Sequence, residues 1–210
     1  SEPDRHPGDP YAIAKLGGLR MSAGQHDQSI PLLRRGLDQA TGDSTERYEL
    51  LLHLGLALSP SDPIGAVACY RQALEIPLDA RISLGARLNL AARLMEQGEL
   101  DEAIALTQTA TQRAPEVALG WYNLGLMLRR RGDIAAALEA YSRAVELDPN
   151  NAACHQNRAV ALLLGGDIEG SRAAFRTAIT LLETQGRPVD AQALRTKAQG
   201  IVKLDLEPIA

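Results

Sequence analysis

Residues 118–151 read ALGWYNLGLMLRRRGDIAAALEAYSRAVELDPNN, and this stretch decides the fold. An apolar-periodic run ends at Arg131-Gly132-Asp133, where Gly supplies the left-handed backbone that closes a helix and Asp133 is placed to cap the next one. A second run follows and stops at Asp148-Pro149, because the residue before Pro avoids helical geometry. The small residues Gly125, Ala137 and Ala144 let two helix backbones approach closely. The large ones, Trp121, Leu124 and Tyr141, fill the space beside them, and Trp121 is expected to be buried between the two helices. The segment predicts two antiparallel helices that cannot bury their apolar stripes alone.

Outward from this stretch the same pattern recurs. Asn89, Asn123 and Asn157 stand 34 residues apart, as do Gly98, Gly132 and Gly166, then Leu94, Leu128 and Leu162, then Ala110, Ala144 and Ala178. A fixed period of this length marks a repeat architecture. Counted from Ala118, Trp121 holds the fourth place, Leu124 and Gly125 the seventh and eighth, Ala137 the twentieth, Tyr141 the twenty-fourth, Ala144 the twenty-seventh and Pro149 the thirty-second. In these columns the unit resembles a tetratricopeptide (TPR) repeat, with Leu128 in place of a common Tyr. The resemblance covers roughly residues 10–185 in five units, near 10–43, 48–80, 84–117, 118–151 and 152–185. It weakens toward the N-terminus, where Pro31 falls inside a second helix and predicts a kink or a late start. The unit from Leu84 has Arg87 and Thr107 where rings are usual, and the unit from Ala152 has Arg158 in an apolar column.

The resemblance implies an all-α fold, a right-handed α-solenoid of antiparallel helix pairs. Residues 1–9, with two Pro and four charges, read as a disordered lead, and 10–186 as the repeat domain. Residues 187–204 read as a capping helix with a polar outer face, and 205–210 as a tail.

Composition agrees with helix. The apolar residues are mostly Ala and Leu, which lose little side-chain freedom in a helix, and aromatics make up 3% of the chain. The formal net charge is −4, which gives no global attraction to nucleic acid or to an anionic membrane. Apolar runs are too short to insert in a bilayer. Cys69 and Cys154 lie far apart, outside any Cys-x-x-Cys spacing, and read as reduced buried thiols of a cytoplasmic protein. Nineteen Arg against three Lys point to a GC-rich, bacterial coding sequence. His6, His26, His53 and His155 have no metal-ligand spacing, and His26 falls in a turn. Phosphate-loop, dinucleotide and nucleophile-elbow motifs are missing, so neither a catalytic residue, a metal nor a cofactor is expected.

The remaining expectation is binding of a protein or peptide. In the family resembled, the first helix of each unit lines the concave face. Its sixth places are Lys15, His53, Asn89, Asn123 and Asn157, all polar. Asn is a mediocre helix former, so its recurrence needs a reason. A side-chain amide has a donor and an acceptor and can pair with the backbone of an extended peptide, which resembles the asparagine ladder of peptide-binding TPR superhelices. Alternatively these amides tie neighbouring helices together. The fifth and ninth places, among them Leu88, Tyr122 and Leu126, form an apolar floor if they are exposed. Arg129 and Arg130 stand at the rim. First-helix segments hold ten Lys or Arg against four Glu, which favours an acidic or carboxylate-bearing partner. The pattern departs from TPR clamps for chaperone C-termini, because Gly85, Leu119 and Ala153 stand beside the three Asn where closing cations belong. The leading reading is an interaction scaffold or assembly factor, not an enzyme in its own right. A second is the substrate-recruiting TPR region of a larger enzyme such as a transferase. The charge and the Trp/Gly/Pro columns oppose a third, RNA binding.

Overall fold

A computed structural model of the chain describes residues 9–202, so the expectations for residues 1–8 and 203–210 lie outside the described residues. Among the described residues there are eleven helices and no strand. They are α1 (Pro10–Ser22), α2 (His26–Gln39), α3 (Thr45–Leu58), α4 (Pro63–Glu75), α5 (Leu84–Gln97), α6 (Leu100–Arg113), α7 (Ala118–Arg131), α8 (Ile134–Leu147), α9 (Ala152–Leu164), α10 (Ile168–Thr184) and α11 (Pro188–Val202). The chain divides into two compact units, the first ending at Leu106 within α6 and the second beginning at Thr107.

In the first unit α1 packs on α2 and α3 on α4, and α3 also packs against α1 and α5. Small residues on first helices meet large ones on second helices. Gly17 lies against Leu33, and a Cβ on Gly55 would stand 2.5 Å from the Tyr70 ring. Pro31 sits inside α2, which starts at His26 without delay. His26 therefore opens a helix, contrary to the turn expected from the sequence.

The second unit repeats the arrangement with α7 on α8 and α9 on α10. A Cβ on Gly125 would stand 2.6 Å from the fully buried Tyr141 ring. Gly132 takes φ +99°, and the backbone N–H groups of Gly132 and Asp133 close α7 on the carbonyls of Arg129 and Leu128. Asp133 occupies the N-cap of α8 without accepting a side-chain hydrogen bond from the backbone. Its carboxylate pairs with Arg131 instead, at 2.6 Å from Nε. The equivalent Asp62 and Asp167 do cap, each accepting an N–H three residues on at 2.8 Å. α11 lays Ala191, Leu194, Ala198 and Val202 into the core shared by α9 and α10 and leaves Gln192, Thr196 and Lys197 exposed. That alternation is what a terminal helix needs to close an apolar end without exposing another.

Trp121 departs from expectation. It is half-buried rather than enclosed between α7 and α8, and its indole Nε1 donates to the Pro115 carbonyl at 2.8 Å. The ring therefore packs at the seam where one repeat meets the next, with its N–H spent on a carbonyl that precedes α7.

Candidate functional site

The sixth places divide between the units: Lys15, His53 and Asn89 in the first, Asn123 and Asn157 in the second. The structure gives these five side chains different employment.

In the first unit, Asn89 Nδ2 donates to the Gly85 carbonyl one turn back, at 2.8 Å. Lys15 is exposed, 3.6 Å from Glu49 Oε2 and 5.4 Å from the centre of the Tyr11 ring. His53 is half-buried on α3, one turn after Glu49, and its ring lies against Gly18, where a Cβ would come within 2.9 Å of Cε1. Burial lowers the His53 pKa below the ordinary 6.5. Glu49 and the backbone of Ala14 pull the other way, and Lys15 adds to the lowering. Leu88 does not form an open floor. It is 6% exposed and belongs to the core.

In the second unit, Asn157 is held on both sides. Its Nδ2 donates to Tyr122 Oη at 3.1 Å and to the Ala153 carbonyl at 2.9 Å, while Oδ1 accepts from Arg129 Nη2 at 3.5 Å. Arg129 Nε also reaches Tyr141 Oη at 3.5 Å. The rings of Tyr122 and Tyr141 stand 6.3 Å apart at 52°, a tilted geometry that aromatic pairs favour. Burial pushes the Tyr141 phenol up to about 12 against the opposing pull of Arg129, and raises Tyr122 as well. Both phenols therefore stay protonated at neutral pH and serve as hydrogen-bonding groups. This network ties α7 to α9, so Asn157 follows the helix-tying alternative.

Asn123 differs. It is half-buried, and neither its amide donors nor its oxygen is hydrogen-bonded to another described residue. Around it on α7 are Leu119, 54% exposed, the half-buried Leu126 and the exposed Arg130, which has no ion partner among the described residues. Tyr122 accepts from Asn157 and keeps its own O–H to give. One face of α7 thus offers an amide, a phenol, apolar surface and a cation. Val160 and Leu164 on α9, the latter 59% exposed, add further apolar surface in the same unit. The sequence points to Leu119 only as standing where a clamp would place a cation, and it does not single out Leu164.

Both cysteines are free and buried. Burial raises the Cys154 thiol to about 11, which leaves it protonated and unreactive at neutral pH. Among the described residues no group of three His, Cys, Asp or Glu side chains is placed to hold a metal ion, and no helix is long and apolar enough to cross a membrane.

Comparison with known proteins gives a consistent result. The family model described as tetratricopeptide repeat matches residues 88–152 and 129–191. A TPR repeat-containing protein of Synechococcus elongatus is 38% identical over 111 residues, which is 52% of this chain and 28% of the relative. The matched stretch thus spans little more than a quarter of that relative's length. Among solved structures, MamA of Desulfovibrio magneticus RS-1 matches with TM-score 0.71 and 20% identity, covering 85% of this chain and 98% of that one. The pilF protein of Pseudomonas aeruginosa matches with TM-score 0.70 and 20% identity, over 92% of each chain. YrrB, described as a TPR protein with an unusual peptide-binding site, matches with TM-score 0.64 and 16% identity over 90% of this chain and 94% of its own. At these identities the structures speak to the fold, which is the all-α repeat of helix pairs already described. With its 34-residue columns, its paired helices and its match to the family, the chain belongs to the tetratricopeptide repeat proteins.

Proposed function

We propose that this protein is an interaction scaffold that holds an extended peptide segment of a partner against α7 and α9. The observation that carries the reading is Asn123: a half-buried amide in mid-helix, unbonded to any described residue and set among apolar surface. Leaving such a group without a mate costs about 1–3 kcal/mol when it is desolvated, so a partner that covers it gains by supplying both a donor and an acceptor. A peptide backbone does so without regard to its side chains. Tyr122 Oη donates a further hydrogen bond, Leu126 and Leu119 take apolar side chains, and Arg130 selects a carboxylate. Arg129 and Asn157 act by holding Tyr122 in place. In the first unit, Lys15 and His53 are the corresponding polar positions, with Leu88 behind them in the core. The partner is a protein with an acidic segment rather than a nucleic acid, and the protonated, buried thiols accord with a reducing cytoplasm.

The test is affinity capture from the native organism with wild type and Arg130→Glu as baits. A protein held by the first and lost by the second supports the reading, and capture of RNA instead would overturn it.

A second reading, that the chain is the substrate-recruiting region of a larger enzyme such as a transferase, draws support from the Synechococcus elongatus relative, of which the match spans only 28%. The mass and sequence of the full-length gene product decide between the two.

A further inference from the structure

The stripe through which each first helix meets the repeat before it stands open on α1. It runs through the third, seventh and tenth places of a unit, four and three residues apart on one side of the helix. In later units these places touch the preceding second helix. Cys154 Sγ, in the third place of α9, lies 3.7 Å from the Tyr141 carbonyl of α8, and Met127 Sδ, in the tenth place of α7, accepts from Thr107 Oγ1 of α6 at 3.2 Å. Leu54, Leu90 and Leu124 in the seventh place are 2–6% exposed, and Ala57, Met127 and Ala161 in the tenth are buried. Arg158 and Arg93 take the remaining two places and are half-buried. On α1 the same columns hold Leu16, 43% exposed, and Leu19, 69% exposed. Half-buried Ala12 precedes them and exposed Ala23 follows. The two cations beside the stripe are engaged elsewhere. Lys15 Nζ lies 3.6 Å from Glu49 Oε2, and Arg20 Nη1 donates to the Gln28 carbonyl at 3.4 Å.

We propose that a second copy of this chain covers the stripe, α1 against α1 about a two-fold axis. Ala12, Leu16, Leu19 and Ala23 stand four, three and four residues apart, so their order reads the same in both directions. Antiparallel pairing sets Leu16 on Leu19 of the second copy and Ala12 on Ala23. Large side chains then meet at the centre, and small ones stand at both ends, where the helix backbones close in. The stripe is thus its own complement, which a two-fold interface demands. A head-to-tail array lacks a matching face. At the same spacing α11 presents Gln192, Thr196 and Gln199, all exposed. Leucines laid on these would strip water from two amides and a hydroxyl and give no hydrogen bond in return. The contact is small. Each copy has little more than one leucine side chain's surface left to hide, well under its half of the roughly 1,200–2,000 Å² of a standard interface. The pair is therefore weak and forms at high local concentration. It stands apart from the α7 surface, and a dimer presents that surface twice, so a partner with two binding segments gains by avidity.

Sedimentation equilibrium of the whole chain from about 10 μM to about 1 mM tests the pairing. The mass is expected to rise from monomer toward dimer, with a dissociation constant on the order of 100 μM, and to stop there. Leu16→Glu and Leu19→Glu should each weaken association about tenfold or more, because two carboxylates enter an apolar contact. Leu19 is the more exposed of the two, so its variant should keep the wild-type melting temperature. Ile64→Glu changes an equally exposed apolar residue on α4, away from the stripe, and should leave the mass curve unchanged. Mild oxidation of mixed Ala12→Cys and Ala23→Cys chains should join one of each kind in preference to two alike. Cys69 and Cys154 are buried and do not compete. A chain that stays monomeric up to about 1 mM would overturn the proposal and leave the stripe to a helix of a different protein or to another part of its own chain. Association that survives both leucine variants, growth beyond the dimer, or preferential joining of two Ala12→Cys chains would overturn it as well.

Discussion

Trp121 Nε1 donates to the Pro115 carbonyl at 2.8 Å, and 34 residues later His155 Nε2 makes the same contact with the Pro149 carbonyl at 2.9 Å. The fourth place of one unit thus satisfies the carbonyl of the proline that stopped the helix before it. A proline at that point ends a helix, and its carbonyl needs a donor from elsewhere. Because a carbonyl only accepts, the His155 tautomer carries its proton on Nε2. Loss of the bond alone, in Trp121→Phe, should cost about 1 kcal/mol. Trp121→Ala should cost about 2 kcal/mol, below the 3–5 kcal/mol of a fully enclosed aromatic, because the ring is only half-buried. Denaturant unfolding measures both, and a Trp121→Ala loss above about 4 kcal/mol would mean that the ring is enclosed.

Gly125 and Tyr141 make a second testable pair. Ala is favoured over Gly in mid-helix by about 1 kcal/mol, so Gly125→Ala would stabilise an unobstructed helix. Here the added methyl meets the buried ring at 2.6 Å, and the overpacking should win by about 1–2 kcal/mol. Gly132 offers the control. Nothing lies within 4 Å of its Cβ position, and its φ is +99°, so Gly132→Ala should cost about 1 kcal/mol through backbone conformation alone. A net gain in melting temperature for Gly125→Ala would contradict the close approach of α7 and α8.

His53 should make the first unit sensitive to mild acid. Its folded pKa lies below 6.5 because burial disfavours the charged ring. The unfolded chain therefore takes up the proton first as pH falls, and stability declines from about 6.5 down to the folded value, then levels off with respect to this group. Melting temperatures of wild type and His53→Gln between pH 8 and pH 5 should converge at the acid end. Parallel curves would assign the acid sensitivity to other groups.

The repeat was legible because its columns are set by packing, and packing recurs with the period. Gly55 with Tyr70 and Gly125 with Tyr141 are the same small-large exchange, visible in the sequence as Gly in the eighth place and a ring in the twenty-third or twenty-fourth. The employment of polar atoms was less legible. Asn89, Asn123 and Asn157 occupy one column, yet Asn89 bonds its own helix and Asn157 bonds Tyr122, 35 residues away. The partner decides, and it comes from the fifth place of the preceding unit, where only Tyr122 has a hydroxyl to offer. His155 stands in the same fourth place as Trp121, but the sequence was read there only for metal-ligand spacing, and the contact with Pro149 comes from the structure. Leu88 and Tyr122 share the fifth place but not their exposure, since the first is buried and the second half-buried.

Asn123 and Asn157 allow the most direct test of the account, because they share a column but not a role. The measurement is a titration of wild type, Asn123→Ala and Asn157→Ala with the captured partner, alongside melting curves of all three. Asn123→Ala should keep the wild-type melting temperature and weaken binding by about 1–2 kcal/mol, since the partner loses a mate for its own buried groups. Asn157→Ala should lower the melting temperature, because Tyr122 and Arg129 lose the amide that ties α7 to α9. Unchanged affinity for Asn123→Ala, or a melting temperature lowered as much as by Asn157→Ala, would contradict the placement of the binding surface on α7.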